Sequence, residues 1–144
     1  RNAEMLIGNH VLAAPLIKEA NLETISTGYM LIDGGQTTAV QYMSNTMPIP
    51  SNKSEIAAAT ALAGQMLGMQ LIYMDAGSGA HQSVPLGMIK AVKQEINIPL
   101  IIGGGIKDAK SVTACCKAGA DVIVVGNLFE EKPEMVRALA DAMV

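Results

Sequence analysis

Short apolar runs alternate along the chain with longer segments of helical periodicity. Residues 23–33 contain one run of β-branched and apolar side chains, and residues 71–75, 100–102 and 122–125 form three more. These runs are continuously apolar rather than alternating, which is typical of parallel strands buried on both faces of a sheet. The pattern therefore predicts an α/β fold built on a parallel sheet.

Helices are predicted before and between these strands. Ser54 is expected to cap an Ala-rich helix that runs to about Leu67. The other predicted helices end near residue 20, cover residues 85–95, begin at Asp108 or Ser111 and end at residue 118, or cover residues 132–143. Residues 34–53 contain Pro48 and Pro50, which exclude a regular helix there, and we expect a long irregular loop.

Each predicted strand has glycine or polar residues at its carboxyl end. Asp75 closes the second strand and is followed by the loop of residues 76–79, while the third and fourth strands run into Gly103–Gly105 and Gly126-Asn127. Ligands bind at this edge in open parallel sheets and in (β/α)8 barrels alike. Glycine loops after the last two strands, each leading to a helix, are typical of a barrel's phosphate site.

Tyr73 and Asp75 are the chemically active side chains predicted at this edge. They lie two residues apart, so an extended strand directs both side chains to the same face. A carboxylate there can hold or deprotonate a substrate hydroxyl, and Tyr73 can hydrogen-bond the same ligand. The alternatives are an Asp75 that only stabilises the following turn and a Tyr73 that belongs to the core.

Glycine-rich backbone provides the predicted anion site. Gly104, Gly105, Gly126 and Asn127 leave backbone N–H groups accessible to a phosphate, and the loop Ala76-Gly77-Ser78-Gly79 adds one hydroxyl. A single such loop is as often a tight turn as a ligand cradle. The recurrence of these loops at consecutive strand ends favours phosphate binding.

Composition and charge narrow the class of protein. The chain has 144 residues, 50% of them hydrophobic and 16% charged, which fits one globular domain. Its net charge of −3, with scattered basic residues, gives no surface for nucleic acid. No apolar run approaches the roughly 18 residues of a membrane span. We therefore expect a cytoplasmic protein that is not integral to a membrane.

Three motifs in order resemble those of the geranylgeranylglyceryl phosphate synthase family. They are YMDAGSGA at residues 73–80, IIGGGI at residues 101–106 and VVGN at residues 124–127. The segments GNHVLAAPLI and GYMLIDGGQTTAVQYMSNTMPIP resemble the subgroup of that family with Asp rather than Glu in the first motif. The resemblance covers essentially the whole chain.

This resemblance implies a function and a set of site residues. Members of the family are (β/α)8 barrels that transfer a polyprenyl group from its diphosphate to the C3 hydroxyl of sn-glycerol 1-phosphate in ether-lipid synthesis. By this resemblance Asp75 and Tyr73 are the catalytic residues. The residues expected to bind the glycerol phosphate are Tyr73, Met74, Asp75, Ala76, Gly77, Ser78, Gly79, Gly104, Gly105, Gly126 and Asn127.

The chain is shorter than a complete barrel, which needs about 200 residues or more. We expect residues 1–144 to be the C-terminal half of a (β/α)8 TIM barrel, its last four β/α units, and the start at Arg1-Asn2 to be internal to a longer protein. The resemblance then places the Mg²⁺ ligands in the absent N-terminal half. Unpaired strand edges also predict a homo-oligomer.

Two other functions remain open at this point. An inert half-barrel fragment is one. The other is a different phosphate-binding barrel enzyme, such as a phosphosugar isomerase, which would need a second acid or base on the first strand. Asp33 is the residue available there.

Overall fold

The sheet contains four parallel strands in sequential order. In the computed structural model, which describes residues 3–143, the predicted internal start at Arg1 and Asn2 lies outside the described residues. The strands, in the order β1-β2-β3-β4, are β1 (Thr27–Leu31), β2 (Leu71–Asp75), β3 (Leu100–Gly103) and β4 (Val122–Val124). The α/β prediction is confirmed. Sequential parallel order is that of four consecutive units of a (β/α)8 barrel.

The helices connect successive strands and flank the sheet. They are α1 (Asn9–Glu19), α2 (Ala39–Ser44), α3 (Ser54–Met66), α4 (Leu86–Glu95), α5 (Ala109–Ala118), α6 (Asn127–Glu131) and α7 (Met135–Asp141), and a single π-helical turn, Glu4–Gly8, runs into α1. In the described part of the chain no helix has the length and apolar character that crossing a membrane requires.

The strand register separates the two faces of the sheet. Tyr29, Tyr73 and Ile101 are consecutive partners across β1, β2 and β3, so they share one face. The intervening positions share the other face, where Ile72, Met74 and Ile102 are at most 1% exposed. That second face packs against α3, α4 and α5, whose buried side chains, including Ala57, Ala61, Met88, Ile89, Val92 and Val112, complete the core.

Burial on both faces was predicted, and the structure corrects this. Within residues 3–143 no helix covers the face that carries Tyr29, and Tyr29, Val122 and Val124 are 47%, 43% and 40% exposed. The strands are continuously apolar all the same. The sequence of each strand is therefore suited to a second apolar layer that the described residues do not supply.

The predicted irregular loop at residues 34–53 contains a short helix, α2, so that part of the prediction was wrong. The Thr38 side chain accepts a hydrogen bond from the Gln41 N–H at 3.4 Å and begins the helix, and Asn45 ends it with a left-handed φ of 48°. Pro48 and Pro50 lie beyond the C-terminal end of α2, so they do not prevent this helix from forming. Beyond it, Ile49 forms a parallel bridge with Ile32 and extends the sheet edge beside β1.

Two helix boundaries also differ from the prediction. The residue that precedes α3 is Lys53, and Ser54 is its first helical residue rather than its cap. The predicted helix at residues 132–143 is shorter, because Pro133 follows α6 and α7 begins only at Met135. Of the two predicted starts of α5, the structure has Asp108 as the cap, which accepts the Ser111 N–H at 2.7 Å, and the predicted end at Gly119 is confirmed as a left-handed C-cap.

Candidate functional site

Strand β2 brings Tyr73 and Asp75 to the same face at the carboxyl edge of the sheet. The alternation of burial along Leu71–Asp75 puts Ile72 and Met74 in the core and leaves Tyr73 and Asp75 partly exposed. The predicted shared orientation of these two side chains is confirmed. Because β1 and β3 flank β2, Asp75 lies between residues of two neighbouring strands, Leu31 and Gly103.

The Asp75 carboxylate is held by a donor on each oxygen. Its Oδ1 accepts the Gly77 N–H at 2.7 Å, which closes the turn after the strand. Its Oδ2 accepts a short hydrogen bond from the Tyr29 hydroxyl. An ionised carboxylate has about four acceptor positions, so the group retains capacity for a ligand hydroxyl. Asp75 does stabilise the turn, and this role leaves it able to bind a ligand.

Two tyrosine rings lie next to this carboxylate. Tyr29 and Tyr73 meet edge to face, with ring centroids 5.3 Å apart and an interplanar angle of 82°. Burial, followed by the charge of Asp75, raises the pKa of Tyr73 to about 12. The Tyr73 hydroxyl is therefore protonated at neutral pH and able to donate a hydrogen bond.

Gly103 at the end of β3 and Gly104 directly after it allow close packing around Asp75 and Tyr73. A Cβ on Gly104 would lie 2.6 Å from the Gly77 nitrogen and 2.8 Å from Asp75 Oδ1, and Gly104 has a left-handed φ of 82°. A Cβ on Gly103 would overlap the Tyr73 hydroxyl. Only glycine permits these approaches, so the third strand's glycines pack directly against the Asp75 loop.

The loops after β2 and β4 are also joined. Ser78 Oγ donates to Asn127 Oδ1 at 2.8 Å, although β3 lies between the two strands. Gly126 precedes α6, and a Cβ there would have no heavy atom within 4 Å. The backbone at Gly126 thus borders open space at the carboxyl edge of the sheet.

These elements line one cleft of about 510 Å³. From the predicted set it contains Tyr73, Asp75, Ser78, Gly79, Gly104, Gly105, Gly126 and Asn127. Lys107 and Lys132 also line it, together with Glu131. A cleft with glycine-rich backbone and two lysines is suited to an anion, and the Asp75 carboxylate and the Tyr73 hydroxyl add groups that can hold a ligand hydroxyl.

Three residues predicted to bind substrate lie elsewhere. Met74 is on the opposite face of β2 with its side chain fully buried in the core. Ala76 is 1% exposed, and Gly77 is buried with its N–H bonded to Asp75. None of these three residues lines the cleft.

Asp33 lines a second cavity of about 470 Å³ with residues of the 34–50 segment. Its Oδ1 accepts the Gly35 N–H at 2.9 Å. The acid on the first strand that an isomerase would require is therefore not among the residues that line the cleft with Asp75. Within residues 3–143, no three His, Cys, Asp or Glu side chains cluster closely enough to hold a metal ion.

Comparison with known proteins identifies the family. The model of the PcrB family matches residues 1–143. The chain belongs to the PcrB family. Among curated relatives of this PcrB chain, the geranylgeranylglyceryl phosphate synthase of Chitinophaga pinensis is 54% identical over 99% of the chain and 57% of that protein. The same enzyme of Spirosoma linguale is 54% identical over 97% of the chain and 56% of that protein.

A solved structure agrees with this family assignment. The (S)-3-O-geranylgeranylglyceryl phosphate synthase of Thermoplasma acidophilum, crystallised with its substrate sn-glycerol 1-phosphate, superposes on the PcrB chain with a TM-score of 0.89 and 35% identity. The match covers 98% of the chain and 56% of that enzyme. The PcrB chain thus spans little more than half the length of the relatives it matches.

Sequence reasoning missed Tyr29, Lys107 and Lys132 in this PcrB chain. Tyr29 occurs in the first apolar run, and only strand pairing brings it to Asp75. Lys107 lies two residues after Gly105, the last glycine of the run, so its position beside a candidate anion site could have been noticed from the sequence. Lys132 reaches the cleft through α6, a helix that the apolar pattern does not predict.

Proposed function

We propose that this chain forms the last four β/α units of a (β/α)8 prenyltransferase. The enzyme transfers a polyprenyl group from its diphosphate to the C3 hydroxyl of sn-glycerol 1-phosphate, a step of ether-lipid synthesis. The observation that carries the proposal is the single cleft in which Asp75 faces the glycine loops of β3 and β4. The relatives' names, and the substrate in the Thermoplasma acidophilum complex, support the choice of reaction.

The phosphate of glycerol phosphate binds at the glycine end of the cleft. Gly104, Gly105 and Gly126 leave backbone close to the surface there, and Asn127 opens α6. Backbone without bulky side chains can bring N–H groups close to a phosphate oxygen, which accepts their hydrogen bonds. Lys107 and Lys132 add positive charge to the same cleft.

The glycerol end of the substrate then lies toward Asp75. The carboxylate accepts the hydrogen bond of the C3 hydroxyl and takes its proton as the new C–O bond forms at C1 of the prenyl group. The bond between that C1 and the diphosphate oxygen breaks, and diphosphate leaves with the bonding electrons. Tyr73, which keeps its proton at neutral pH, donates a hydrogen bond that orients the glycerol.

Magnesium enters this proposal only as a partner of the diphosphate leaving group, whose charge it would neutralise. The described residues do not supply a cluster of metal ligands. We assign the metal ligands to the four β/α units that precede this half of the barrel. No step of the chemistry assigned to Asp75 depends on the metal's position.

The proposal includes the protein's location and assembly. The enzyme acts in the cytoplasm on polyprenyl diphosphate and glycerol phosphate, and it forms a homo-oligomer. The apolar face that carries Tyr29, Val122 and Val124 supports the missing half-barrel, since a closed barrel has a filled interior.

Product formation by the complete barrel tests the function. The purified full-length protein is incubated with Mg²⁺, geranylgeranyl diphosphate and sn-glycerol 1-phosphate, and the ether product is measured by mass spectrometry. We expect Asp75→Asn to lower turnover by about two to four orders of magnitude. Asp141→Asn, the same change at an exposed position on α7, is the matched control and retains turnover.

Two results would contradict the proposal. One is the absence of ether product from the folded complete barrel over a range of prenyl chain lengths. The other is full turnover by Asp75→Asn, which would remove this carboxylate from the mechanism. The chain alone, without the four preceding β/α units, is expected to give no product, because it is only half of the barrel.

A further inference from the structure

Tyr29 contacts the Asp75 carboxylate but is not among the residues that line the cleft. It lies on β1, where it pairs in register with Tyr73, while Asp75 pairs with Leu31. Tyr29 is therefore the diagonal neighbour of Asp75 on the same face of the sheet. A diagonal neighbour is within reach of a long aromatic side chain, and the Tyr29 hydroxyl donates its hydrogen bond to Asp75 Oδ2.

The orientation of the carboxylate depends on this bond. The terminal torsion of an aspartate is broad and roughly two-fold, so a partly exposed carboxylate held at one oxygen can still rotate. The Gly77 N–H fixes Oδ1 at 2.7 Å. Adding a donor on Oδ2 fixes the plane of the group, and with it the lone pairs that face the cleft.

The Tyr29 ring is itself held in place. Its contact with Tyr73 is edge to face, at 5.3 Å and 82°. Tyr73 in turn lies over Gly103, where a Cβ would come within 2.9 Å of its Cε2. Tyr29, Tyr73 and Gly103 thus form a continuous contact from β1 to β3 that limits the movement of the donor hydroxyl.

The hydroxyl also keeps its proton. Burial, the hydrogen bond to Asp75 and the nearby negative charge all raise the pKa of Tyr29 above its ordinary value. At neutral pH Tyr29 is a permanent donor, and it does not compete with Asp75 as a base.

We infer that Tyr29 is a positioning residue that acts through Asp75, setting the orientation in which the carboxylate receives the proton of the substrate hydroxyl. This inference rests on the proposed prenyl transfer. Tyr29 orients the Asp75 carboxylate during the attack of the substrate's C3 hydroxyl. It does not contribute to binding of the phosphate, because the phosphate binds at the opposite end of the cleft. Loss of the Tyr29 hydroxyl is therefore expected to affect kcat and to leave KM for glycerol phosphate nearly unchanged.

The kinetic test uses Tyr29→Phe in the complete barrel, alone and combined with Asp75→Asn. Because a hydrogen bond to a charged group is lost, we expect kcat to fall about tenfold to a hundredfold. In the Asp75→Asn background the same change should have little further effect, since its target is gone. Tyr42→Phe is the matched control, because Tyr42 is 81% exposed on α2 and its hydroxyl can be removed without affecting the site.

A spectroscopic measurement separates this inference from the proposed function. Tyrosine labelled with ¹³C at Cζ reports each ring without substrate, and Asp75→Asn should shift the Tyr29 signal while leaving that of Tyr42 in place. If the shift is seen but the wild-type barrel makes no ether product, the pairing stands and the inference about catalysis falls with the proposed function.

The inference alone is overturned by three outcomes in an active wild-type enzyme. The first is an unchanged kcat in Tyr29→Phe. The second is an equal loss from Tyr29→Phe with and without the Asp75 carboxylate. The third is a loss confined to KM, which would place Tyr29 in substrate binding.

Discussion

Ser78 Oγ donates a hydrogen bond of 2.8 Å to Asn127 Oδ1, which joins the loop after β2 to the start of α6 across the end of β3. Both side chains are exposed at the cleft. This bond fixes the position of the loop after β2 relative to the start of α6. We propose that these two segments hold opposite ends of glycerol phosphate. The phosphate end and the Asp75 end of the cleft are therefore one site.

Removing that bond should weaken substrate binding more than it weakens the fold. In Ser78→Ala we expect KM for glycerol phosphate to rise several-fold to about tenfold, since one hydrogen bond is lost. The melting temperature should change little, because both partners are exposed. Steady-state kinetics and a thermal melt measure the two effects, and a large fall in melting temperature with unchanged KM would contradict this role.

A methyl group at Gly126 should obstruct the anion without disturbing the protein. Because a Cβ there meets no heavy atom within 4 Å, Gly126→Ala is expected to fold normally. The added methyl group occupies the space in which a phosphate would approach the backbone, so calorimetry should show weaker binding of glycerol phosphate and little change for prenyl diphosphate.

The control for this change is Gly87→Ala on α4, where a Cβ also meets nothing within 4 Å. Gly104→Ala would not be informative in the same way, because its left-handed φ of 82° and the Gly77 nitrogen at 2.6 Å predict local distortion. Equal losses for both substrates in Gly126→Ala would argue against a phosphate site at this loop.

Gly103→Ala should destabilise the protein through Tyr73. The new Cβ would overlap the Tyr73 hydroxyl and lie 2.9 Å from Cε2. Displacing a ring that is also in contact with Tyr29 is expected to cost about 1–3 kcal/mol in the free energy of unfolding. Denaturant titration measures this cost, and Gly103→Ala combined with Tyr73→Leu should recover part of it. A fully stable single variant would show that the ring is not confined.

Asp121 should make stability depend on pH below neutrality. Burial acts to raise the pKa of Asp121, but the hydrogen bonds from Lys93 Nζ at 2.6 Å and the Leu100 N–H at 2.7 Å hold it below its ordinary value. A carboxyl with a lowered folded-state pKa stabilises the protein above its unfolded-state pKa, about 3.9. That contribution is lost as pH falls through the folded-state value.

The corresponding variant is Asp121→Asn. At pH 7 we expect it to be less stable than wild type by about 1 kcal/mol, a figure reduced for solvent screening of a partly exposed pair. The difference should shrink as pH falls below about 4. Asp141→Asn should show no such pattern, and a difference for Asp121→Asn that is constant across pH would exclude the charge as its cause.

By itself the chain should associate. The sheet face with Tyr29 and Val124 is uncovered, and on α1 Leu12 and Leu16 are 76% and 68% exposed. Apolar surface of this kind favours self-association or pairing with the preceding four units. Sedimentation velocity measures this directly. A monodisperse monomer with a cooperative melt and no binding of a hydrophobic dye would contradict the half-barrel proposal.

Much of the architecture could be predicted because local signals agreed with the fold. Val84-Pro85 before α4, and Asp108 and Gly119 at the ends of α5, mark boundaries through side chains that act within a few residues. Helix α2 was missed because its cap, Thr38, was overlooked in favour of the later prolines. An uncovered apolar sheet face is what the predicted half-barrel would show, because half of a barrel leaves the interior face of its strands open. Strand composition alone reports the burial suited to a strand and does not identify the partner.

The cleft could be predicted only in part, because the sequence does not show how neighbouring strands align. Asp75, Ser78, Gly104 and Asn127 were found because each lies at the end of its strand or in the short segment that follows it. The Tyr29 contact depends on the pairing of β1 with β2, and a shift by one residue would turn its side chain to the other face. Sequence periodicity predicts which side chains share a face within one strand. It does not predict which residues of two neighbouring strands lie opposite each other.

Hydrogen exchange of the complete barrel with and without sn-glycerol 1-phosphate tests most directly whether this cleft is the substrate site. If the cleft binds the substrate, slower exchange will concentrate in the loops that contain Ser78, Gly104 and Asn127, and Gly126→Ala will reduce this protection. Protection confined to the 34–50 segment around the second cavity, with exchange at these three loops unchanged, would contradict it.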